Sequence, residues 1–309
     1  MRIAIVTPAH NVAAHIATTL RSVLRQTHDD WTMVVVDDGS DDSTGAIARE
    51  FVNRRLRVVR QSNQGVSAAR NTGLRHADGD AVLFLDADDW LAPDALERLS
   101  ATLEDAPWAS GAVGPYAQVG EDGRSRRPVP AASGALLRPL LIRNRFINGG
   151  HVLLRRQAVT AAGAFRADLS FGEDWEYWVR VAQTGEFAAV RGAEPTLFAL
   201  ERAVGAYRSL AADPAAFIKC LDAIHANPGL AEHLPERERM RLRRRAEAEA
   251  YWVLGREMVR HGLRPESWRW LLRSALVCPT TRGVARVVAS GLAPGLPPSW
   301  RGPFRPYAN

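Results

Sequence analysis

Residues 82–90 read Val82-Leu-Phe-Leu-Asp86-Ala-Asp88-Asp89-Trp90, an apolar run that stops abruptly at three carboxylates. The stretch from Val82 to Leu85 has the composition of a buried strand, and a buried strand carries charge only at high cost. Asp86, Asp88 and Asp89 are therefore expected at the strand's carboxyl end, where an open α/β sheet presents its ligand crevice. Carboxylates spaced Asp-x-Asp at such an edge are hard oxygen ligands, suited to Mg²⁺ or Mn²⁺ holding a diphosphate. Taken alone, the three acids also read as a solvated loop.

The flanking sequence argues against that plainer reading. Strands are expected at Arg2–Thr7, Trp31–Val36, Leu56–Arg60 and Ala81–Leu85. Helices are expected at Ala13–Gln26, from Asp42 or Ser43 through Phe51, at Val66–Ala77, and after Pro93. The first helix carries Ile16, Leu20, Val23 and Leu24 on one face. Repeated strand–helix units of this length imply a doubly wound sheet. Four polar segments then fall at carboxyl ends of strands: Thr7-Pro-Ala-His-Asn11, Asp37-Asp38-Gly39-Ser40, Asn63-Gln-Gly65 with Arg70, and the acidic motif.

Beyond residue 105 the pattern loosens. Ala109–Val119 with the Gly120–Gly123 turn reads as a strand and hairpin, and 124–135 as a loop. Val152–Leu154 reads as a strand, Gln157–Ala162 as a helix, and Asp174–Thr184 as a helix with Trp175, Trp178, Val179 and Ala182 at core spacing. Strand signals stop near residue 205. Glu236–His261 and Glu266–Val277 read as a helical hairpin, followed by a proline-rich tail from Pro294.

Charge divides the chain of 309 residues. Residues 1–200 hold 22 Arg against 24 Asp plus Glu, a net of −2; residues 201–309 hold 18 Arg plus Lys against 10 acids, a net of +8. A basic C-terminal third suits a nucleic acid, an anionic membrane or a phosphorylated partner, and equally a solvated arginine-rich helix. Cys220 and Cys278 form neither a disulfide framework nor a metal motif, which points to the cytoplasm. Arg2 onward reads as a strand rather than a signal peptide, and no transmembrane run is found.

The motifs in combination resemble the inverting family 2 glycosyltransferases of the GT-A fold, over roughly residues 1–200. The residues that carry the likeness are Pro8-x-x-Asn11, Val36-Asp-Asp-Gly-Ser40, Gly65-x-Ser-x-Ala-Arg70-Asn-x-Gly73, Leu85-Asp-Ala-Asp-Asp89 and Gly172-Glu-Asp174. The resemblance implies a doubly wound mixed sheet over 1–204, split into a nucleotide-binding half (1–105) and an acceptor half (106–204). An all-helical region with an extended tail follows over 205–309. It implies transfer of a single sugar from a nucleotide-diphosphate sugar, a UDP-sugar first, to a hydroxyl of a glycan or lipid-linked acceptor, as in bacterial cell-surface polysaccharide or glycoconjugate assembly. No nucleic-acid partner is implied. The alternative is a nucleotide-sugar-binding module without catalysis.

Roles follow position by position. Pro8, Ala9, His10, Asp38, Asn63, Arg70, Asp86 and Ala87 match donor-binding positions, with Asp38 and Asn63 at the base and Asp86 at the ribose. Asp88 matches the ligand of a divalent metal, Mn²⁺ or Mg²⁺. Asp174 matches the general base, with Glu173 as runner-up. Asn148, His151 and Trp175 fall where relatives face the acceptor. Asp37 is read as capping its turn, and Asp89 as capping the next helix or orienting the site.

The chain also departs from the family pattern. His10 stands where an aromatic usually lies on the nucleobase. Phe198-Ala-Leu-Glu-Arg202 lacks a His found there in many relatives, leaving Arg202 as a candidate diphosphate contact. Glu266-Ser-Trp-Arg269-Trp270 lacks the Gln of processive synthases. A haloacid-dehalogenase phosphatase also uses Asp-x-Asp, but near its first strand and without Trp90 at that position. The exposed-looking Trp268, Trp270, Leu271 and Leu272 among arginines suit either a peripheral place on the inner membrane face or helix packing.

Overall fold

A computed structural model describes residues 1–201, 213–260 and 264–279. The strands are β1 (Ile3–Ala9), β2 (Trp31–Asp38), β3 (Leu56–Gln61), β4 (Ala81–Phe84), β5 (Trp90–Leu91), β6 (Ala109–Val113), β7 (Tyr116–Gly120), β8 (Val152–Arg155), β9 (Glu186–Ala189) and β10 (Leu197–Glu201). The helices are α1 (Ile16–Leu24), α2 (Thr44–Glu50), α3 (Val66–His76), α4 (Ala95–Glu104), α5 (Leu137–Leu140), α6 (Arg156–Ala162) and α7 (Glu173–Val181). They continue with α8 (Pro214–His225), α9 (Leu230–His233), α10 (Glu236–Arg260) and α11 (Arg264–Val277).

The strand–helix alternation builds a seven-stranded sheet in the order β3-β2-β1-β4-β8-β6-β9, beside a three-stranded sheet β5-β10-β7. β1, β2, β3 and β4 run parallel, while β8 lies antiparallel to both β4 and β6, so the sheet is mixed. Both faces of β1 are buried, which is why Ile3–Ala9 shows no alternation of apolar and polar residues. Ile16, Leu20 and Val23 of α1 pack on that sheet with Leu96 and Leu99 of α4.

Several details differ from the sequence reading. Helix α1 begins at Ile16 rather than Ala13, because the preceding amides are taken by the turn after β2. Val12 N–H donates to Thr44 Oγ1 at 2.8 Å, and Ala13 N–H to Asp42 Oδ2 at 3.1 Å. The span 109–119 is two strands in two different sheets, broken at Gly114-Pro115. A Cβ on Gly114 would sit 2.0 Å from Thr196 Oγ1, so only glycine fits where the chain leaves the large sheet. β5, β9 and β10 were not anticipated; they hold two, four and five residues, too few to show a period. α8 was also missed, although Asp213 caps it by accepting from Ala216 N–H at 3.2 Å and Pro214 opens it.

The chain forms two compact units. The first comprises Met1–Leu137, Arg145–Asp168 and Glu173–Arg202; the second comprises Arg138–Asn144, Leu169–Gly172 and the chain from Ala203. Within the second unit α10 and α11 pack side by side, with Leu271 against Gly255 and Trp270 beside Tyr251. The tail from Pro294 and Arg202 lie outside the described residues.

Candidate active site

Parallel register sets the carboxyl ends of four strands in a row: Ala9 lies opposite Asp37, Asp38 opposite Gln61, and Val6 opposite Phe84 just before the acidic motif. Between them opens a cleft of ≈ 340 Å³, lined by Pro8, Ala9, His10, Asp38, Asn63, Arg70, Asp86, Ala87 and Asp88, together with Gly65 and the apolar Val12, Val66 and Ala69. All eight residues expected at the donor, and Asp88, thus share one crevice.

Hydrogen bonds lock the end of the cleft expected to read the base. His10 Nδ1 lies 2.9 Å from the Asp38 carbonyl, which can only accept, so Nδ1 carries the proton. That leaves Nε2 to accept from Asn63 Nδ2 at 3.3 Å. The Asp38 carboxylate accepts from Gln61 Nε2 (2.7 Å), Gln64 N–H (2.9 Å) and Gly65 N–H (2.8 Å). Gln61 was not anticipated, yet its register opposite Asp38 was available from the parallel pattern. Gly39, at φ +71°, lets this turn approach the Asn63 backbone; a Cβ there would meet Asn63 N at 2.6 Å. Asp37 closes its own turn as expected, accepting from Ser40 N–H at 2.9 Å and pairing with Arg60 at 3.2 Å. Asn11 adopts φ 50°, tolerable for Asn, and its side chain accepts from Asp41 N–H at 3.1 Å.

Arg70 lies at the centre. Its side chain is 6% exposed and pairs with Asp86 and Glu173, each at 3.0 Å, while its Nε finds no partner among the described residues. Burial works against the cation, but Asp86, Glu173 and Asp174 outweigh it and raise its pKa, so Arg70 stays charged. The Phe165 ring lies 5.3 Å from it. Nothing in the sequence pointed to Phe165, which sits in an irregular segment.

Asp174 heads α7 and is partly exposed. Its Oδ1 accepts from the Trp175 N–H at 2.6 Å. Burial, then the charge of Glu173, push its pKa up to about 7, against the opposing pull of Arg70. A carboxyl group poised near neutrality suits proton transfer.

Asp89 is not a helix cap. It is buried, accepts from Leu200 N–H at 2.8 Å and from Asn148 Nδ2, and so ties β10 and the 148–150 turn to the acidic motif. Burial and the charges of Asp86 and Asp88 raise its pKa.

The three residues expected to face an acceptor need correcting. The Asn148 amide is used on Asp89 and on Gly150 N–H, at 2.8 Å for the latter. A Cβ on Gly149 would meet the Phe84 carbonyl at 2.6 Å, so the glycine pair serves close packing against β4. His151 is 2% exposed, donates from Nδ1 to the Gly114 carbonyl at 2.8 Å, and is held neutral by burial, with its pKa lowered to about 4. Trp175 is 4% exposed. Periodicity had marked Trp175 as core, and packing places it there.

Among the described residues no cluster of three or more His, Cys, Asp or Glu is placed to hold an ion. Mg²⁺ and Mn²⁺ sites that accompany nucleotides need only one or two carboxylates, the rest coming from phosphate oxygens and water. Asp86 and Asp88 on the cleft wall meet that requirement.

The profile described as "Glycosyl transferase family 2" matches residues 4–162, just over half of the chain. The chain belongs to glycosyl transferase family 2. Among curated relatives it is similar to the uncharacterized glycosyltransferase EpsJ of Bacillus subtilis (strain 168), at 32% identity over 183 residues. That match takes in 56% of this chain and 53% of EpsJ. The chain spans about half of EpsJ and smaller shares of other curated relatives.

Two solved structures share the fold. S. aureus TarS (residues 1–349) superposes with a TM-score of 0.62 at 17% identity, over 95% of this chain and 90% of that one. TarS has also been solved with UDP and with UDP-GlcNAc. The mannosyltransferase PcManGT of Pyrobaculum calidifontis, in complex with GDP-Man and Mn²⁺, superposes with a TM-score of 0.59 at 20% identity, over 99% and 84%. The family 2 chain thus has the GT-A fold, followed by a helical region.

Proposed function

We propose that this family 2 enzyme is an inverting, divalent-metal-dependent transferase that moves one sugar from a UDP-sugar to an acceptor hydroxyl. The observation that carries the reading is the cleft itself. A base-reading end (His10, Asp38, Asn63) and an Asp-x-Asp end (Asp86, Asp88) share one crevice, and Arg70 of that crevice pairs with Glu173, the residue before Asp174. Among the described residues lining the cleft, Asp38, Asp86 and Asp88 outnumber Arg70, so a diphosphate entering alone meets repulsion. Asp88 would hold the divalent ion, which would supply positive charge to offset the negative charge growing on the departing diphosphate. UDP and UDP-GlcNAc in TarS favour uracil, while GDP-Man in PcManGT marks guanine as the rival base.

In this scheme the ionised Asp174 carboxylate takes the proton of the acceptor hydroxyl. That oxygen bonds to the anomeric carbon as the bond from carbon to the diphosphate oxygen breaks, and the nucleoside diphosphate leaves. One displacement inverts the anomeric centre. The competing reading, a nucleotide-sugar-binding module, has no use for a carboxylate poised near neutrality.

Screening UDP-, GDP- and other nucleotide sugars for thermal stabilisation in the presence of Mn²⁺ tests the donor. A UDP-sugar is expected to raise Tm most. Proton NMR of the sugar released from that donor is expected to show the opposite anomer first. Stabilisation by a GDP-sugar overturns the base assignment, and release of the donor's own anomer overturns inversion.

The membrane reading now rests on one helix face. Of the four residues singled out in the sequence, Leu271 is buried and Trp270 half-buried beside Tyr251. Trp268 (43% exposed), Leu272 (53%) and Leu276 (79%) instead form an exposed stripe at i, i+4, i+8, with exposed Arg269 and Arg273 alongside. No described helix is long and apolar enough to cross a membrane. An aromatic–aliphatic stripe edged by arginine suits an anionic lipid surface, and would bring the enzyme to lipid-linked acceptors of polysaccharide assembly. Co-sedimentation with anionic vesicles is expected at low salt, weakening at high salt and with Leu272→Glu. Equal sedimentation of that variant would remove the face from the account.

A further inference from the structure

Glu173 stands next to the base and was the second candidate for that role, yet its carboxylate is already engaged by the most buried cation of the site. Arg70 Nη1 donates to Glu173 Oε1 and Nη2 to Asp86 Oδ1, both at 3.0 Å, so one planar fork spans from the acidic motif to the first residue of α7. The fork is itself held. Phe165 lies 5.3 Å beneath the guanidinium, and its backbone is gripped on both sides by Asn71: Phe165 N–H donates to Asn71 Oδ1 at 2.8 Å, and Asn71 Nδ2 to the Phe165 carbonyl at 2.9 Å. The same ring stacks on Tyr177 of α7 at 3.8 Å, and Tyr177 is fully buried. Two consecutive residues of α3, Arg70 and Asn71, therefore fix α7 at its first turn and through Tyr177.

We propose that Glu173 is a positioning residue: through Arg70 it holds the first turn of α7, and with it Asp174, in register with Asp86 on the donor side of the cleft. The proposal rests on the reading of Asp174 as the base. The Glu173 carboxylate is already committed to the buried Arg70 guanidinium at 3.0 Å, whereas its neighbour Asp174 carries the raised pKa. Arg70 has a matching consequence for the donor. It cannot turn toward a diphosphate without releasing Asp86 or Glu173, so Asp86 and Asp174 report to one another through a single side chain.

The charged groups acting on Asp174 are Glu173, Arg70 and Asp86, which gives the test a signature beyond stability. In the full chain, Glu173→Gln is expected to lower kcat roughly 10- to 100-fold through misplacement of the base, without weakening UDP binding, since Arg70 is then freer to turn toward the diphosphate. The acidic limb of the kcat–pH profile is expected to move down by about one pH unit, because a like charge beside Asp174 is gone. Glu173→Asp keeps the charge but shortens the reach, so its plateau falls while its limb stays at the wild-type pH.

A Glu173→Gln enzyme with wild-type kcat and an unmoved limb overturns the proposal. So does complete loss in Glu173→Gln with transfer retained in Asp174→Asn, which makes Glu173 the base. A melting point lowered in both Glu173 variants, with kcat per folded molecule and the limb unchanged, also overturns it and leaves Glu173 a structural role. A wild-type chain that turns over no nucleotide sugar sinks the transferase reading itself, a result distinct from all of these.

Discussion

Replacing Asp174 by asparagine is expected to lower sugar transfer by roughly 10³-fold, the scale of a lost general base, while UDP binds as in the wild type. The amide oxygen can still accept the Trp175 N–H that Asp174 accepts at 2.6 Å, so the local fold is kept. In the proposed scheme the ionised form is the active one, and the Asp174 pKa is raised to about 7, so kcat is expected to rise with pH through that region. The sign for stability is opposite. A carboxyl whose folded pKa lies above its unfolded value contributes stability only at acid pH, and that contribution is lost as pH rises through about 7. Asp174→Asn is therefore expected to melt higher than the wild type at pH 8 and not at pH 4. A variant that transfers sugar at the wild-type rate moves the base elsewhere; a pH-rate limb in the ordinary carboxylate range removes the raised pKa from the account.

Replacing Asp88 by alanine is expected to cost at least about 10³-fold in turnover, equivalent to about 4 kcal/mol of transition-state stabilisation. The loss is not expected to come from unfolding. Asp88 is partly exposed on the cleft wall, and its charge is one of those raising the pKa of buried Asp89, so its removal eases repulsion within the motif. A Tm equal to or above the wild type, measured with the loss of turnover, separates the two explanations. Turnover at the wild-type rate with any added metal contradicts the placement of the metal ligand.

The first hundred residues were readable because their polar groups stand at the ends of short, regular strand–helix units. Val82–Leu85 had to be buried, so Asp86 and Asp88 had to stand at the edge; the same logic placed Asp38, His10 and Asn63, and parallel register brought them together. Residues 106–204 obeyed no such rule. His151 is polar in type but lies buried, with its ring edge-on to Tyr116 and Phe146, and a lone histidine in sequence carries no sign of which environment it will meet. Asn148 lies 59 positions from Asp89, a separation no local pattern spans. Arg70 was recognised as a donor contact that could also pair with Asp86, but its second partner, Glu173, is 103 positions away and becomes a neighbour only through the packing of Phe165 on Tyr177. The helical region was legible as helices but not in its faces: Trp268, Trp270, Leu271 and Leu272 read alike until the packing of Gly255 against Leu271 sorted buried from exposed.

Calorimetric titration of UDP into the wild-type chain and into Asp88→Ala, each with Mn²⁺ and with the metal chelated, tests the central claim most directly. Tight binding is expected only for the wild type with Mn²⁺, and weak, metal-indifferent binding for the variant. Equal affinity in all four titrations would contradict it, and with it the assignment of the His10–Asp38–Asp88 cleft as a metal-dependent nucleotide-sugar site.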